Sequence, residues 1–193
     1  MQRARRGARA LAVLSVVAIF GGCGGSGQPG GQPSASPAAR QPSSLYLSSS
    51  AFTDGQALPA EYTCDGAGRS PPLQWSDAPA QTQAFALVLE DPDAPEGTFG
   101  HWGVYDIPAT VFELAAGAGN SDALKQTHND FDQTGYGPPC PPKGDKPHHY
   151  RFRVMALDVA HLSGPPANVK ALLDASQGHV LGTAEVTAAY ARR

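Results

Sequence analysis

Hydrophobic positions fall into short runs separated by turns rich in Gly, Pro and Asp, the spacing of strands rather than long helices. Leu45 to Phe52 alternates enough to predict a first strand. Phe85 to Leu89 is a continuous apolar run. It is followed across an acidic, proline-stiffened turn by Trp102 to Ile107, and the two are predicted as a strand pair. Tyr150 to Asp158 carries the clearest period of two: Tyr150, Phe152, Val154 and Ala156 share one face, and Arg151 and Arg153 begin the other. Val180 to Tyr190 is predicted as a last strand, or as a strand running into a terminal helix. One helix is predicted, capped by Asn168, striped by Val169, Leu172 and Leu173, and ended near Gly178. Many short strands with one late helix predict a mainly β fold, a sandwich with a few short helices.

The first residues carry a different pattern. Arg3, Arg5, Arg6 and Arg9 form a basic start, and Ala10 to Phe20 is an apolar run too short for a bilayer core of ~30 Å. Gly21, Gly22 and Cys23 follow, so residues 1–22 are predicted as a lipoprotein signal peptide and Cys23 as the lipidated first residue of the mature chain. Phe20 stands where leucine is usual in such a site, and plain secretory cleavage nearby is the alternative. Arg5 and Arg6 raise a twin-arginine signal, which their neighbours do not support. Residues 23–44 are almost wholly Gly, Pro, Ser, Gln and Ala, a composition expected to act as a flexible tether. Residues 45–193 then form the folded domain. The expected location is the cell membrane, lipid-anchored, on its extracytoplasmic side.

Charge narrows the partners. The 193-residue chain has a formal net charge of −3 and no basic stripe, which argues against nucleic acid. The stretch DPDAPEG fails as a calcium loop, because Pro95 occupies a ligand position and Glu96 replaces the turn glycine. His128, His148 and His149 lack zinc-site spacing, so no metal is expected. No nucleophile elbow, phosphate loop or dinucleotide fingerprint occurs, and no cofactor is implied.

Four separated motifs carry a resemblance: LPAEYTCDGAGRSPPLQW, DPDAPEGTFGHWGVYDIPA, GYGPPCPPKG and PHHYRFRVMALD. In order and spacing, from about Ala51 to Arg192, they resemble the phosphatidylethanolamine-binding protein family in its bacterial, Raf-kinase-inhibitor-like branch. The resemblance implies a β-sandwich with a small anion-accepting pocket at one edge. It places Asp91, Asp93, His101, His148 and Tyr150 in the pocket wall, with Pro142 and Gly144 on a rim loop running from Pro141. His149 stands where the family more often has arginine, and Pro138 where bacterial members often have a second glycine. With Cys23 set aside, Cys64 and Cys140 remain, both in family motifs that belong to loops, and a disulfide between them is expected.

Carboxylates cannot themselves attract an anion. Asp91 and Asp93 are instead expected to accept hydrogen bonds from His101 or His148 and favour imidazolium, which donates to the anion; backbone N–H groups around Gly144 add a nest. Anion binding would then strengthen as pH falls. The expected function is a membrane-anchored protein that binds a small anionic or phosphate-bearing ligand, such as a phospholipid head group or a phosphorylated group. An interaction protein inhibiting a kinase or protease is the first alternative and a weak hydrolase the second. Whether the chain is also an enzyme is left open, with binding without catalysis the favoured reading.

Overall fold

The computed structural model describes residues 44–193; Cys23, the signal segment and all but the last residue of the tether lie outside the described residues. Seven strands and one α-helix follow in chain order: β1 (Tyr46–Ser48), β2 (Leu73–Ser76), β3 (Ala84–Asp91), β4 (Phe99–Pro108), β5 (Glu113–Leu114), β6 (His148–Leu157), α1 (Val169–Ser176) and β7 (Val180–Tyr190). They form a three-stranded sheet, β1-β2-β5, and a four-stranded sheet, β4-β3-β6-β7, with every pairing antiparallel.

The unbroken apolar run of β3 has a plain cause. β3 is central in its sheet and buried at every position, so both of its faces must be apolar. Phe85, Leu87 and Leu89 face the main core, which they share with Leu47, Leu73 and Trp75 of the smaller sheet and with Phe152, Val154 and Val186. Ala86 and Val88 face a second cluster with Met155, Leu157, Val169 and Leu172, under α1.

The helix is capped as predicted, the Asn168 side chain accepting from the Ala171 N–H at 2.8 Å. It sits close to β4 because β4 is bare where they meet. A Cβ on Gly100 would lie 2.7 Å from Val169 Cβ, and one on Gly103 would lie 2.5 Å from Thr127 Oγ1 and 3.2 Å from Leu172. Gly100 and Gly103 are thus the two places in β4 where only hydrogen fits.

One sequence expectation changes, one open alternative is settled, and two strands are added. The first strand shrinks from Leu45–Phe52 to Tyr46–Ser48, because the Ser49 hydroxyl turns to the Pro72 carbonyl and accepts from the Ala51 N–H. The last element stays a strand through Tyr190, paired with β6 from His148↔Tyr190 to Leu157↔Val180. Strands β2 and β5 are additional, four and two residues long.

Part of each edge of the larger sheet is covered by irregular chain. Along β4, Tyr105 donates to Lys125, Thr127 to Gly103 and Asp130 to Gly100. Along β7, Gly55 donates to Thr187, Leu58 to Ala189, and Ala189 to Gln56. The order β4-β3-β6 also brings the start of β4, the end of β3 and the start of β6 to one end of the sheet. The pocket forms there.

Candidate functional site

Asp91 ends β3, His101 is the third residue of β4, and His148 and Tyr150 open β6. These four line a cavity of about 140 Å³. Pro141 and Pro142 form one wall, with Cys140 behind them; Ala94 and Pro95 of the acidic turn form another. Phe99 and Phe131 complete an aromatic collar, their rings 4.7 Å apart. No Lys or Arg lines the cavity.

The two histidines are held differently. His148 Nδ1 donates to Asp91 Oδ2 at 2.7 Å, and both side chains are buried. The other Asp91 oxygen accepts the Asp93 N–H at 2.9 Å, which closes the turn after β3. His101 Nδ1 donates instead to the Gly137 carbonyl at 2.9 Å. A carbonyl can only accept, so Nδ1 carries a proton, and in the neutral ring Nε2 then keeps its lone pair. Burial among aromatic rings pushes the His101 pKa down; the hydrogen bond to Gly137 and the charge of Asp91 pull the other way without prevailing. His101 is therefore neutral at neutral pH. The expectation of an aspartate-backed imidazolium at this position is corrected: a main-chain carbonyl fixes its tautomer, and desolvation removes its charge.

Tyr150 is fully buried, its ring 5.3 Å from that of His101 and edge-on to it. Burial and the nearby Asp91 carboxylate push its ionisation far above the ordinary phenol value, so its hydroxyl keeps its proton. That hydroxyl has no well-formed hydrogen bond. Asp91 is near enough to influence it, but not in hydrogen-bonding geometry, and the geometry decides what the hydroxyl still has to offer.

Two of the predicted residues lie elsewhere. Asp93 is half-exposed and outside the cavity lining; its Oδ2 accepts both the N–H and the Nδ1–H of His149, at 2.8 and 2.7 Å. Those bonds hold its carboxyl below the ordinary range. His149, where arginine is more usual, thus staples the acidic turn to the start of β6. Gly144, at φ +87°, is also absent from the lining, and its N–H donates to the Arg192 carbonyl at 3.1 Å, so it has no donor left for a nest. Phe99 and Phe131 were missed by the sequence reading. The one available signal was Phe131 itself, an isolated aromatic within the polar stretch NDFDQ.

The wall carrying Pro141 and Pro142 is tied down covalently. Cys64 and Cys140 form a disulfide, Cα to Cα 5.3 Å, spanning 76 residues. Beside it, Asp65 accepts from Arg192 at 3.0 to 3.1 Å and from the Tyr190 hydroxyl at 2.7 Å, which fastens the Cys64 side of the bridge to Tyr190 and Arg192.

The sequence profile described as Phosphatidylethanolamine-binding protein matches residues 48–191. The chain belongs to that family. Among its relatives, the UPF0098 protein of Aquifex aeolicus is 43% identical over 152 residues, covering 77% of this chain and 89% of the relative. The UPF0098 protein YbcL of Escherichia coli is 39% identical over 166 residues, covering 78% and 89%. The crystal structure of E. coli YbcL, described as a member of the mammalian PEBP family, superposes with a TM-score of 0.72 at 35% identity, over 77% of this chain and 99% of that one. A PEBP homolog from Chlamydia trachomatis gives 0.70 at 38% identity, over 78% and 99%. Membership in the bacterial branch and the mainly β family fold are thereby established, and the cavity is that of a family member.

Proposed function

We propose that the domain binds a small anionic, phosphate-bearing ligand in this cavity, and that the chain is exported and held at a membrane through a lipid on Cys23. The observation that supports binding is a convergence of unused polar atoms. Nε2 of His101, Nε2 of His148 and the Tyr150 hydroxyl all belong to cavity-lining residues, and none has a hydrogen bond among the described residues. A buried hydroxyl left without a partner costs about 1–3 kcal/mol, which a bound ligand would offset. The size narrows the ligand. Pockets for drug-sized molecules run to roughly 300–1,000 Å³, and about 140 Å³ suits a head group without acyl chains. Phe99, Phe131, Pro95 and Pro142 offer apolar contact to whatever the head group is attached to.

Calorimetric titration with inorganic phosphate and phosphoethanolamine, between about pH 5.5 and 8 to span the histidine range, tests this reading. Binding that Tyr150→Phe weakens supports it. No heat from either compound at any pH in that range rejects it, as does a native mass spectrum of the gently purified protein in which no small anion is ever retained or taken up.

A further inference from the structure

We infer that the cavity reads a proton as well as a negative charge: its ligand donates a hydrogen bond to Nε2 of His101, so the site takes phosphate and phosphomonoesters carrying a P–OH and rejects sulfate esters and phosphodiesters. This deepens the anion-binding reading above and depends on it.

The geometry of His101 leaves little choice. Its Nδ1 proton is committed to Gly137, whose N–H returns to the His101 carbonyl at 2.8 Å, so presenting that proton to a ligand would break the bond to Gly137. The ring is boxed by aromatic neighbours, with centroids at 4.9 Å from Phe99, 5.4 Å from Phe131 and 5.3 Å from Tyr150. None of the three residues makes a hydrogen bond to Nε2 among the described residues. The charged or titratable groups near it are Asp91 on β3, His148 and Tyr150 on β6, and Asp130 in the covering loop. Asp91 and Asp130 would favour a protonated His101, but both are engaged: Asp91 by His148 and the Asp93 N–H, Asp130 by the Gly100 N–H at 2.6 Å. Tyr150 stays neutral, and desolvation, the largest influence on His101, lowers its pKa and favours the neutral ring.

A neutral Nε2 presents a lone pair. An oxyanion with lone pairs on every oxygen is repelled by it, whereas an anion that keeps one hydroxyl satisfies it. A phosphomonoester holds its second proton below about pH 6 and then offers one P–OH to His101, with its remaining oxygens free to accept from Tyr150. A sulfate ester has the same single charge and nearly the same shape but no proton to give. A phosphodiester, the form of phosphate in a phospholipid head group, has none either. Affinity for a monoester therefore rises as pH falls because the ligand gains a proton, and a histidine charge is not required.

The test uses the full-length protein and four probes at about pH 5.5, where the monoester is mostly a monoanion: inorganic phosphate, ethyl phosphate, ethyl sulfate and diethyl phosphate. Ethyl phosphate is expected to bind at least about tenfold more tightly than ethyl sulfate, the usual cost of one hydrogen bond to a charged group. Inorganic phosphate should follow ethyl phosphate, and diethyl phosphate should follow the sulfate; a diester bound as tightly as the monoester overturns the inference and admits the phosphodiester of a lipid head group as the ligand. Equal affinity for ethyl phosphate and ethyl sulfate overturns the inference and leaves the anion-binding reading standing. Binding of none of the four overturns both. A second measurement needs no variant: the ¹⁵N shift of His101 Nε2 in the phosphate complex should remain that of an unprotonated, hydrogen-bonded nitrogen, and an imidazolium shift would refute the assignment.

Discussion

His101 and Gly137 hold each other twice, side chain to carbonyl at 2.9 Å and N–H to carbonyl at 2.8 Å. The pair joins β4 to the loop that carries Phe131. A Cβ on Gly137 would stand 2.6 Å from the Phe131 ring, so the residue that orients His101 must also be bare for Phe131 to sit beside it.

The depressed pKa of His101 makes the fold acid-sensitive. Below about pH 6.5 the unfolded chain takes up a proton that native His101 refuses, so the unfolded state binds more protons and stability falls as pH falls. The loss begins near the unfolded value and stops growing once pH drops below the native one. Urea denaturation at several pH values between about 5 and 7.5 should show this slope, and His101→Gln should flatten it. An unchanged slope in the variant would assign the acid loss to other groups.

Tyr150→Phe should separate binding from stability. Removing an unpaired buried hydroxyl relieves a cost of about 1–3 kcal/mol, so the variant should melt at the wild-type temperature or above it. Its affinity for phosphate should drop about tenfold or more. A clearly lower melting temperature would show that the hydroxyl is hydrogen-bonded within the native protein after all.

Gly100→Ala should destabilise by about 1–3 kcal/mol, the usual result of forcing a methyl into a packed core. The new carbon would meet Val169 Cβ at 2.7 Å, an atom next to the helix backbone that cannot move alone. Chemical denaturation measures the loss. Gly97→Ala would meet nothing within 4 Å, but its φ of +109° makes it a backbone-strain control.

Replacing both Cys64 and Cys140 with serine should cost roughly 4 kcal/mol by the loop-entropy account for a closure of this length. Because Cys140, Pro141 and Pro142 are consecutive in the cavity wall, phosphate affinity should fall with it, even at temperatures where the variant is fully folded. Unchanged affinity in the folded double variant would mean that the wall holds its shape without the bridge.

Cys23→Ser should block processing or release the protein from the membrane fraction. Stable anchoring needs more than one acyl chain, since a single chain binds with K of only about 10⁴ M⁻¹. Processing and fractionation identical to wild type would remove the lipid from the account.

Some of this was legible in the sequence and some was not, for physical reasons. β6 and α1 announced themselves because their periods, 2 and 3.6, survive in one dimension. The run Phe85 to Leu89 was legible as a strand, although its burial on both faces depends on neighbours that no period records. β2 and β5 were too short to carry a pattern. The His148–Asp91 pair was foreseen as one of several combinations, but the actual partners of His101 and Asp93 were not. Gly137 reaches His101 across 36 residues, and His149 reaches Asp93 across 56. A histidine's charge depends on how dry its surroundings are, and dryness is a property of the assembled core. The aromatic collar was hidden for the same reason, since Phe131 lies in a polar loop and gains meaning only beside Phe99.

The covered edges of the larger sheet bear on life at high density. A protein tethered to a surface would meet its own copies far more often than a freely diffusing one, and an open strand edge would be a template for joining them. Here residues 55–58 occupy the outer side of β7 near Thr187 and Ala189, and residues 125–130 occupy the outer side of β4. Along those stretches neighbours would find no ladder to extend. The first segment to peel away would set the threshold for clumping, which makes the Gly55–Leu58 strip, held by three main-chain bonds, a guard against self-association as well as a piece of the fold.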